Sequence, residues 1–424
     1  MISKHFWMSL THAETYESLV PSSGTGSDSC SASRRGSSLT PADAGNDSQL
    51  TKVGVFEDGT RYEAGPYHVV VLSGTYREMG RQYGALMTDE LNSEYEMLRS
   101  RFTANGYTET EVYESARETT SLQAKRIKEI RAGIAETSGL TPEAVDILYV
   151  FYVVMPVSLG FSGEKTGCSF LAAWDNYTTD GSVVLSRNWD LNEEFLAFKP
   201  YYTLAVYNPT DGSNGVATFG PAGGLPETLM NSAGLFIAED NGGSSGSSLE
   251  VAGRPMIVGE FFRMMLDYST IEELDAVIMS TLTNSAFIVN AAGPDMVYSY
   301  EESIWDIKRR EGEGVIAAAN HFVDPSWRLD TTGIDNSVTR YNNLLNLAEE
   351  NKGSIDAERM MAIRDVLYED GGATFEHYTV ELNGMTGTGS TVYRVVYVPE
   401  TRTFCMKVID EDWQQVELAP LFSV

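Results

Sequence analysis

Residues 168–190 read CSFLAAWDNYTTDGSVVLSRNWD, and this stretch decides the fold. It divides into two apolar strands joined at Asp180-Gly181, a dipeptide that supplies the positive φ of a tight turn and marks a β-hairpin. The second strand ends in Ser186-Arg187-Asn188-Trp189-Asp190, which the hairpin folds back beside Cys168. A thiol, a guanidinium and a carboxylate are thus expected to meet at one strand end. Directly upstream, Thr166-Gly167-Cys168-Ser169 places a residue without a side chain before the thiol.

Downstream of the hairpin, β patterns dominate. Tyr201 to Tyr207 and Gly215 to Phe219 form a pair around the loop NPTDGSNG, and Gly234 to Ala238 continues it. A helical block over Met256 to Leu266 and Ile271 to Met279 precedes strands at Ala286 to Asn290, Met296 to Tyr300, Ile304 to Lys308 and Val315 to Ala319. Helices follow at Ser337 to Glu349 and Ala357 to Leu367, then a last hairpin, Thr391 to Val398 with Thr403 to Val408. Blocks of strands separated by pairs of helices predict an α+β protein with two antiparallel sheets covered by helices.

Upstream, after the apolar run Tyr67 to Leu72, the segment GTYREMGRQYGALMTDEL turns helical. Thr110 to Glu136 is charged with recurring apolar positions. Thr141-Pro142-Glu143 starts a further helix through Ile147, Leu148, Phe151 and Val154, with a cap residue and proline at the first helical position. Residues 21–50 are rich in Ser, Gly, Asp and Thr and too poor in apolar side chains to offset the entropy of ordering. The expected organisation is a disordered lead-in over 1–50, a mostly helical segment over 51–167 and a core over 168–424.

With 424 residues, 42% of them hydrophobic, the chain has ample material for a large core. No run of 18 apolar residues exists, and Met1 to Val20 shows no signal-peptide core, so neither a membrane span nor export is predicted and the cytoplasm is the default. A net charge of −30 repels phosphates and anionic lipid, which argues against nucleic-acid and membrane partners. The three cysteines, Cys30, Cys168 and Cys405, are too widely spaced for a disulfide framework or a zinc site, and no cofactor motif is readable. The oligomeric state, homo-oligomers included, stays open.

The phrase around Cys168 permits self-cleavage. A thiol can attack the preceding carbonyl to form a thioester, and glycine allows the backbone geometry this needs. Water would then release a chain that begins at Cys168. The new α-amine, with a pKa of about 7.7–8.0, is partly neutral at neutral pH and can take the thiol proton, so one residue supplies nucleophile and base. Arg187 beside the sulfur would favour thiolate, and Asp190 would hold the α-ammonium. The alternative, an Arg and Asp pair that merely caps a strand, stays open on spacing alone.

These residues resemble the N-terminal-nucleophile hydrolases, in the superfamily of choloylglycine hydrolase, penicillin acylase and acyl-coenzyme A:6-aminopenicillanic-acid acyltransferase. Gly74-Thr75-Tyr76-Arg77-Glu78-Met79-Gly80-Arg81-Gln82-Tyr83-Gly84 resembles the acyltransferase branch in particular, and the similarity runs from about residue 66 to 410. The resemblance implies a four-layer αββα sandwich and a cleaved pro-segment that remains as a second subunit of a zymogen-derived enzyme. It also implies cysteine-dependent attack on the amide bond of a small N-acyl compound. It further matches Asn231, before Ser-Ala-Gly-Leu, to an oxyanion-hole residue, Asn320 to a second polar pocket residue and Arg340 to a helix-borne arginine near the site. On residues alone, Asn231 also suits a turn, Asn320 a strand cap and Arg340 a surface helix.

Two other readings compete. One is a dipeptidase-like relative with the same nucleophile; the other is a non-catalytic, ligand-binding member of the fold. His321 and His377 offer no local context for a Cys-His dyad, and Cys405 alternates within an apolar strand as a buried small hydrophobe. Asn241 to Ser248, NGGSSGSS, lacks the Lys-Ser/Thr of a phosphate loop. Loops 161–165 and 221–229 are expected to carry specificity.

Overall fold

The computed structural model describes residues 50–154, 167–242, 251–329, 335–382 and 385–423. Residues 1–49 of the expected lead-in, with Cys30, loop 161–165 and most of the glycine-rich loop lie outside these residues.

The described chain opens with three strands, β1 Thr51–Phe56, β2 Gly59–Ala64 and β3 Tyr67–Gly74. The segment ahead of Cys168 is therefore not only helical. The run Val69-Val70-Val71-Leu72 lies in a strand flanked on both edges, and near-continuous apolar sequence is what such a strand needs. Five helices follow: α1 Tyr76–Leu86, α2 Thr88–Ala104, α3 Glu109–Leu122, α4 Lys125–Ser138 and α5 Pro142–Val154. The charged stretch Thr110 to Glu136 divides between α3 and α4 because Gln123 and Ala124, both with ψ 150°, leave the helical backbone.

The glycines of segment 74–84 have a packing reason. A Cβ on Gly80 would lie 2.0 Å from the Ile130 carbonyl oxygen, and one on Gly133 would lie 2.2 Å from that of Arg77. Helices α1 and α4 thus cross backbone to backbone, which any side chain would prevent. Thr75 and Glu78 close a capping box that fixes where α1 starts.

Beyond Gly167 come β4 Ser169–Ala173, β5 Val184–Asn192, β6 Tyr202–Pro209, β7 Val216–Pro221, β8 Thr228–Asn231 and β9 Phe236–Asn241. Then follow α6 Ile257–Asp267, α7 Ile271–Ile278, β10 Phe287–Ala292, β11 Val297–Glu302, β12 Ile307–Glu311 and β13 Val315–Ala318. The chain ends through α8 Asp335–Glu350, α9 Ala357–Asp365, β14 Tyr378–Leu382, β15 Met385–Val398, β16 Thr403–Val408 and β17 Gln414–Glu417.

Among the described residues these strands form a 10-stranded sheet, β1-β2-β3-β6-β7-β8-β9-β10-β11-β12, and a 7-stranded sheet, β13-β4-β5-β15-β16-β17 with β14 on β15. Every pairing is antiparallel except β3 with β6. That pair is parallel because five helices and the β4–β5 hairpin intervene, a connection long enough to cross over. The two sheets face each other across an aromatic core in which Tyr393 packs on Trp189 at 5.0 Å, Phe219 at 5.2 Å and Tyr202 at 5.6 Å. On the far side of the smaller sheet, Leu344 and Leu347 of α8 and Met360 and Ile363 of α9 cluster with Leu171, Val184 and Val396. Outside the larger sheet, Tyr83 of α1 and Phe262 of α6 pack on Tyr207. The architecture is the helix, sheet, sheet, helix sandwich expected. Cys405 is buried in the smaller cluster as a packed thiol.

Candidate active site

Cys168 stands immediately before β4, whose antiparallel register with β5 sets Ser169 opposite Asn188 and Phe170 opposite Arg187. The hairpin thereby carries Arg187 to the sulfur. Arg187 is fully buried, and its Nη2 donates to Cys168 Sγ at 3.3 Å and to Glu227 Oε2 at 3.1 Å. Its Nη1 donates to the hydroxyls of Tyr393 at 2.9 Å and Thr228 at 3.0 Å. Nη2 also meets the Glu239 carbonyl, and Nε lies 3.5 Å from Asp240 Oδ1. Glu227 is held in turn by Trp189 Nε1 at 2.7 Å.

A second buried arginine approaches from α8. Arg340 Nη1 donates to the Cys168 carbonyl at 2.6 Å, with the Gly167 carbonyl at 3.4 Å and Asp190 Oδ2 at 3.5 Å. Its Nη2 donates to Asn320 Oδ1 at 2.7 Å. Asp190 Oδ1 accepts from Thr391 at 2.6 Å, a contact that the β5–β15 pairing of these two residues provides. Asn320 is fixed by its backbone N–H to Ser337 Oγ at 2.8 Å, and its Nδ2 donates to the Asn241 carbonyl at 2.9 Å. Gly167 sits against this group so tightly that a Cβ would lie 1.7 Å from Asn320 Oδ1 and 2.7 Å from Arg340 Nη2.

Electrostatics follow from burial. Burial pushes the Cys168 thiol well up, Arg187 pulls against it, and Asp240, Glu227 and Asp190 add to the rise. One guanidinium does not offset lost solvation plus three carboxylates, so the sulfur of the uncut chain is a thiol. Burial likewise raises Asp190 to about 7 against the pull of Arg340, and Asp240 to about 6 against that of Arg187. His321, whose Nδ1 pairs with Ser337 Oγ at 2.7 Å, is pushed down to about 4 by burial and then by Arg340 and Arg310. His377 lies on Glu193 at 2.7 Å. Neither histidine contacts Cys168 among the described residues.

The structure thus gathers Gly167, Cys168, Arg187, Asp190, Asn320 and Arg340. Asn231 stands apart, and its reading as an oxyanion donor is corrected. Its Nδ2 donates to the carbonyls of Met265 at 3.0 Å and Tyr268 at 2.9 Å, and its Oδ1 accepts from the N–H groups of Ala233 at 3.1 Å and Leu235 at 2.9 Å. An amide has two donors and two lone pairs, so nothing is left for a ligand. The alternative raised for this residue, a turn, is what the geometry shows.

Sequence reading missed Glu227, Asp240, Thr391 and Tyr393. The readable signal was two acids in strand-like apolar contexts, Pro226-Glu227-Thr228-Leu229 and Ile237-Ala238-Glu239-Asp240, because a carboxylate buried in a sheet demands a partner. Among the described residues, no group of three or more His, Cys, Asp or Glu is arranged to hold a metal ion, and no helix is long and apolar enough to cross a membrane.

Residues 177–411, more than half of the chain, match the acyl-coenzyme A:6-aminopenicillanic acid acyl-transferase family. The chain belongs to that family. The match starts beyond Cys168 and spans Arg187, Asp190, Asn231, Asn320 and Arg340. No curated protein matches this acyl-transferase family member. Among solved structures, it is similar to a mutant conjugated bile acid hydrolase from Clostridium perfringens, at 12% identity over 60% of this chain and 93% of the hydrolase, with a TM-score of 0.40. A second variant of the same hydrolase gives 12% identity over the same shares and a TM-score of 0.43. Penicillin V acylase from Agrobacterium tumefaciens gives 12% identity over 58% of this chain and 85% of that one, with a TM-score of 0.39.

Proposed function

We propose that this family member is a self-cleaving cysteine amidohydrolase or acyltransferase that opens a linear amide of a small N-acyl compound through a Cys168 thioester. The observation that carries the reading is the double clamp on Cys168, with Arg187 on its sulfur and Arg340 on the two carbonyls around its backbone nitrogen. In the first step Sγ attacks the Gly167 carbonyl carbon. Arg340 faces the oxygen that gains charge there, and a charge-assisted donor at that place stabilises the tetrahedral adduct. The C–N bond breaks, the acyl group moves to sulfur, and Cys168 acquires a free amine. Water then hydrolyses the thioester and leaves Gly167 as a carboxylate.

In the mature enzyme the α-amine takes the thiol proton while sulfur attacks the substrate carbonyl. Asp190, whose carboxylate is oriented by Thr391 and Arg340, accepts hydrogen bonds from the resulting ammonium. Asn320 supplies an oxyanion donor, since among the described residues its Nδ2 makes one hydrogen bond and keeps a second hydrogen. The amine of the substrate leaves with the proton, and the acyl-enzyme passes to water or to another amine. Hydrolysis is preferred because no coenzyme A site is recognisable in the sequence. The segment ahead of the cut stays in place as the second subunit, because β3 hydrogen-bonds to β6 from His68↔Thr203 to Gly74↔Pro209 inside the larger sheet.

Intact mass tests the reading. Purified protein is expected as two pieces, residues 1–167 and 168–424, with Cys168 at the new N-terminus, and Cys168→Ala as one full-length chain without amidase activity. An active preparation with the Gly167–Cys168 bond unbroken overturns it.

A further inference from the structure

A third buried arginine stands behind Cys168, on the far face of the smaller sheet. Side chains alternate along β4: Cys168, Phe170 and Ala172 belong to the core between the sheets, Leu171 and Ala173 to the cluster under α8 and α9. Ser169 therefore points at the helices, where it meets the fully buried Arg364 near the end of α9. Arg364 Nη1 donates to Ser169 Oγ at 3.0 Å and Nη2 to the Ser169 carbonyl at 3.3 Å. Its Nε donates to Ser186 Oγ on β5 at 2.8 Å and Nη2 to the Ser186 carbonyl at 2.9 Å. The Arg364 backbone is tied to the same strands. Its carbonyl accepts from Thr374 Oγ1, which accepts in turn from Asn188 Nδ2 at 2.8 Å, and Asn188 is the residue β5 sets opposite Ser169.

Arg364 differs from its neighbours in having no counter-ion. Arg340 has Asp190 at 3.5 Å and Arg394 has Asp365 at 2.6 Å. All four bonds of the Arg364 guanidinium end on serine oxygens, and among the described residues no carboxylate lies within ion-pair distance of it. Burial pulls this group down to about 9 while Asp190 and Asp240 pull it back up, so it stays charged at neutral pH. A buried charge without a partner is costly, and an apolar side chain would pack α9 on the sheet without that cost. What the guanidinium adds is a rigid planar fork that grips two strands at four points, which a lysine cannot do.

Self-cleavage gives the fork a task. In the uncut chain Cys168 is held from both sides, by the link to Gly167 and by Ser169. Once that link breaks, Ser169 is its one covalent neighbour, and a chain end frays unless something ties it down. Cys168 also lies outside the β4–β5 pairing, which begins at Ser169↔Asn188. We propose that Arg364 is a positioning residue: it pins Ser169 from behind, so that the thiol and the new α-amine of Cys168 stay aligned with Arg187 and Asp190. The inference rests on the self-cleavage proposed above, and Arg364 acts through Ser169 without touching the substrate.

The test is amide hydrogen exchange over Ser169 to Ala173, read by mass spectrometry in self-cut protein and in the uncut Cys168→Ala background. In cut protein, Arg364→Met speeds exchange there at least fivefold. In the uncut background the same substitution changes it less than twofold, because Gly167 still holds the end. A role confined to packing α9 would loosen both forms alike. Arg364→Lys, which keeps the charge and loses the fork, behaves as Arg364→Met does. Equal exchange in wild-type and Arg364→Met cut protein, or equal acceleration in cut and uncut forms, overturns the assignment and leaves the cleavage reading standing. A wild-type chain that never cuts overturns the cleavage reading and this inference with it. Should Arg364→Met fail to fold or to cut, Ser169→Ala decides: it leaves α9 intact, exchange in the cut form rises at least twofold, and an unchanged rate overturns the assignment.

Discussion

The β8–β9 turn and the connection from β13 to α8 each bury an asparagine, and the two amides spend their hydrogen bonds differently. Asn231 gives both amide hydrogens to carbonyls near the end of α6 and takes two backbone N–H groups of its own turn. Asn320 gives its oxygen to Arg340 and one hydrogen to Asn241, beside Gly167 and Cys168. The difference teaches that an asparagine at a strand end is readable as a polar fixture, while its task depends on which groups the fold brings within about 3 Å.

Four experiments can break or sharpen this contrast. The largest effect is expected from Gly167→Ala, because its methyl would collide with Asn320 Oδ1. The chain should remain uncut, as a single band and a single intact mass, and efficient cleavage would show that Asn320 does not press on the scissile link as described. Next comes Asn320→Ala in protein that has matured. Loss of one preorganised oxyanion donor costs about 3 kcal/mol, so kcat should fall roughly 100-fold, and a kcat within twofold of wild type would remove Asn320 from the chemistry. Asn231→Ala should behave in the opposite way. Buried carbonyls and N–H groups lose their partner, which lowers stability by about 2 kcal/mol in a denaturant titration, while kcat per folded molecule stays within twofold.

The smallest effect concerns pH. Asp190 titrates at about 7 in the uncut fold, above its unfolded value of about 3.9. The folded state therefore holds the proton more tightly. Stability from this group is fully present below pH ~4 and is lost as pH rises towards about 7. In a Cys168→Ala background, Asp190→Asn should flatten that decline, and an identical slope in both proteins would place the titration elsewhere.

Much of the frame was legible in the chain. Asp180-Gly181 between apolar runs announced the hairpin, and the hairpin alone carries Arg187 to Cys168, because antiparallel register is local geometry. Capping chemistry at Thr141-Pro142 located the start of α5 for the same reason. β1 and β2 went unseen because short, partly exposed strands leave little periodicity, and the break between α3 and α4 because neither glycine nor proline marks it. Glu227, Asp240 and Tyr393 escaped because they reach Arg187 across about 40, 50 and 200 residues of sequence respectively.

By itself, the sequence determined the alternation of strands and helices, the thiol behind a glycine, and the arginine and aspartate a hairpin's length away. Only the tertiary structure decided that Arg340 spans Gly167, Cys168, Asp190 and Asn320, that Asn231 closes a turn, and that Arg364 reaches Ser169 from the far face of the smaller sheet. Local rules act within a few residues, where dihedral preference and register suffice. Partners for a buried charge are set by which distant segments the sandwich presses together, and no short stretch of chain encodes that.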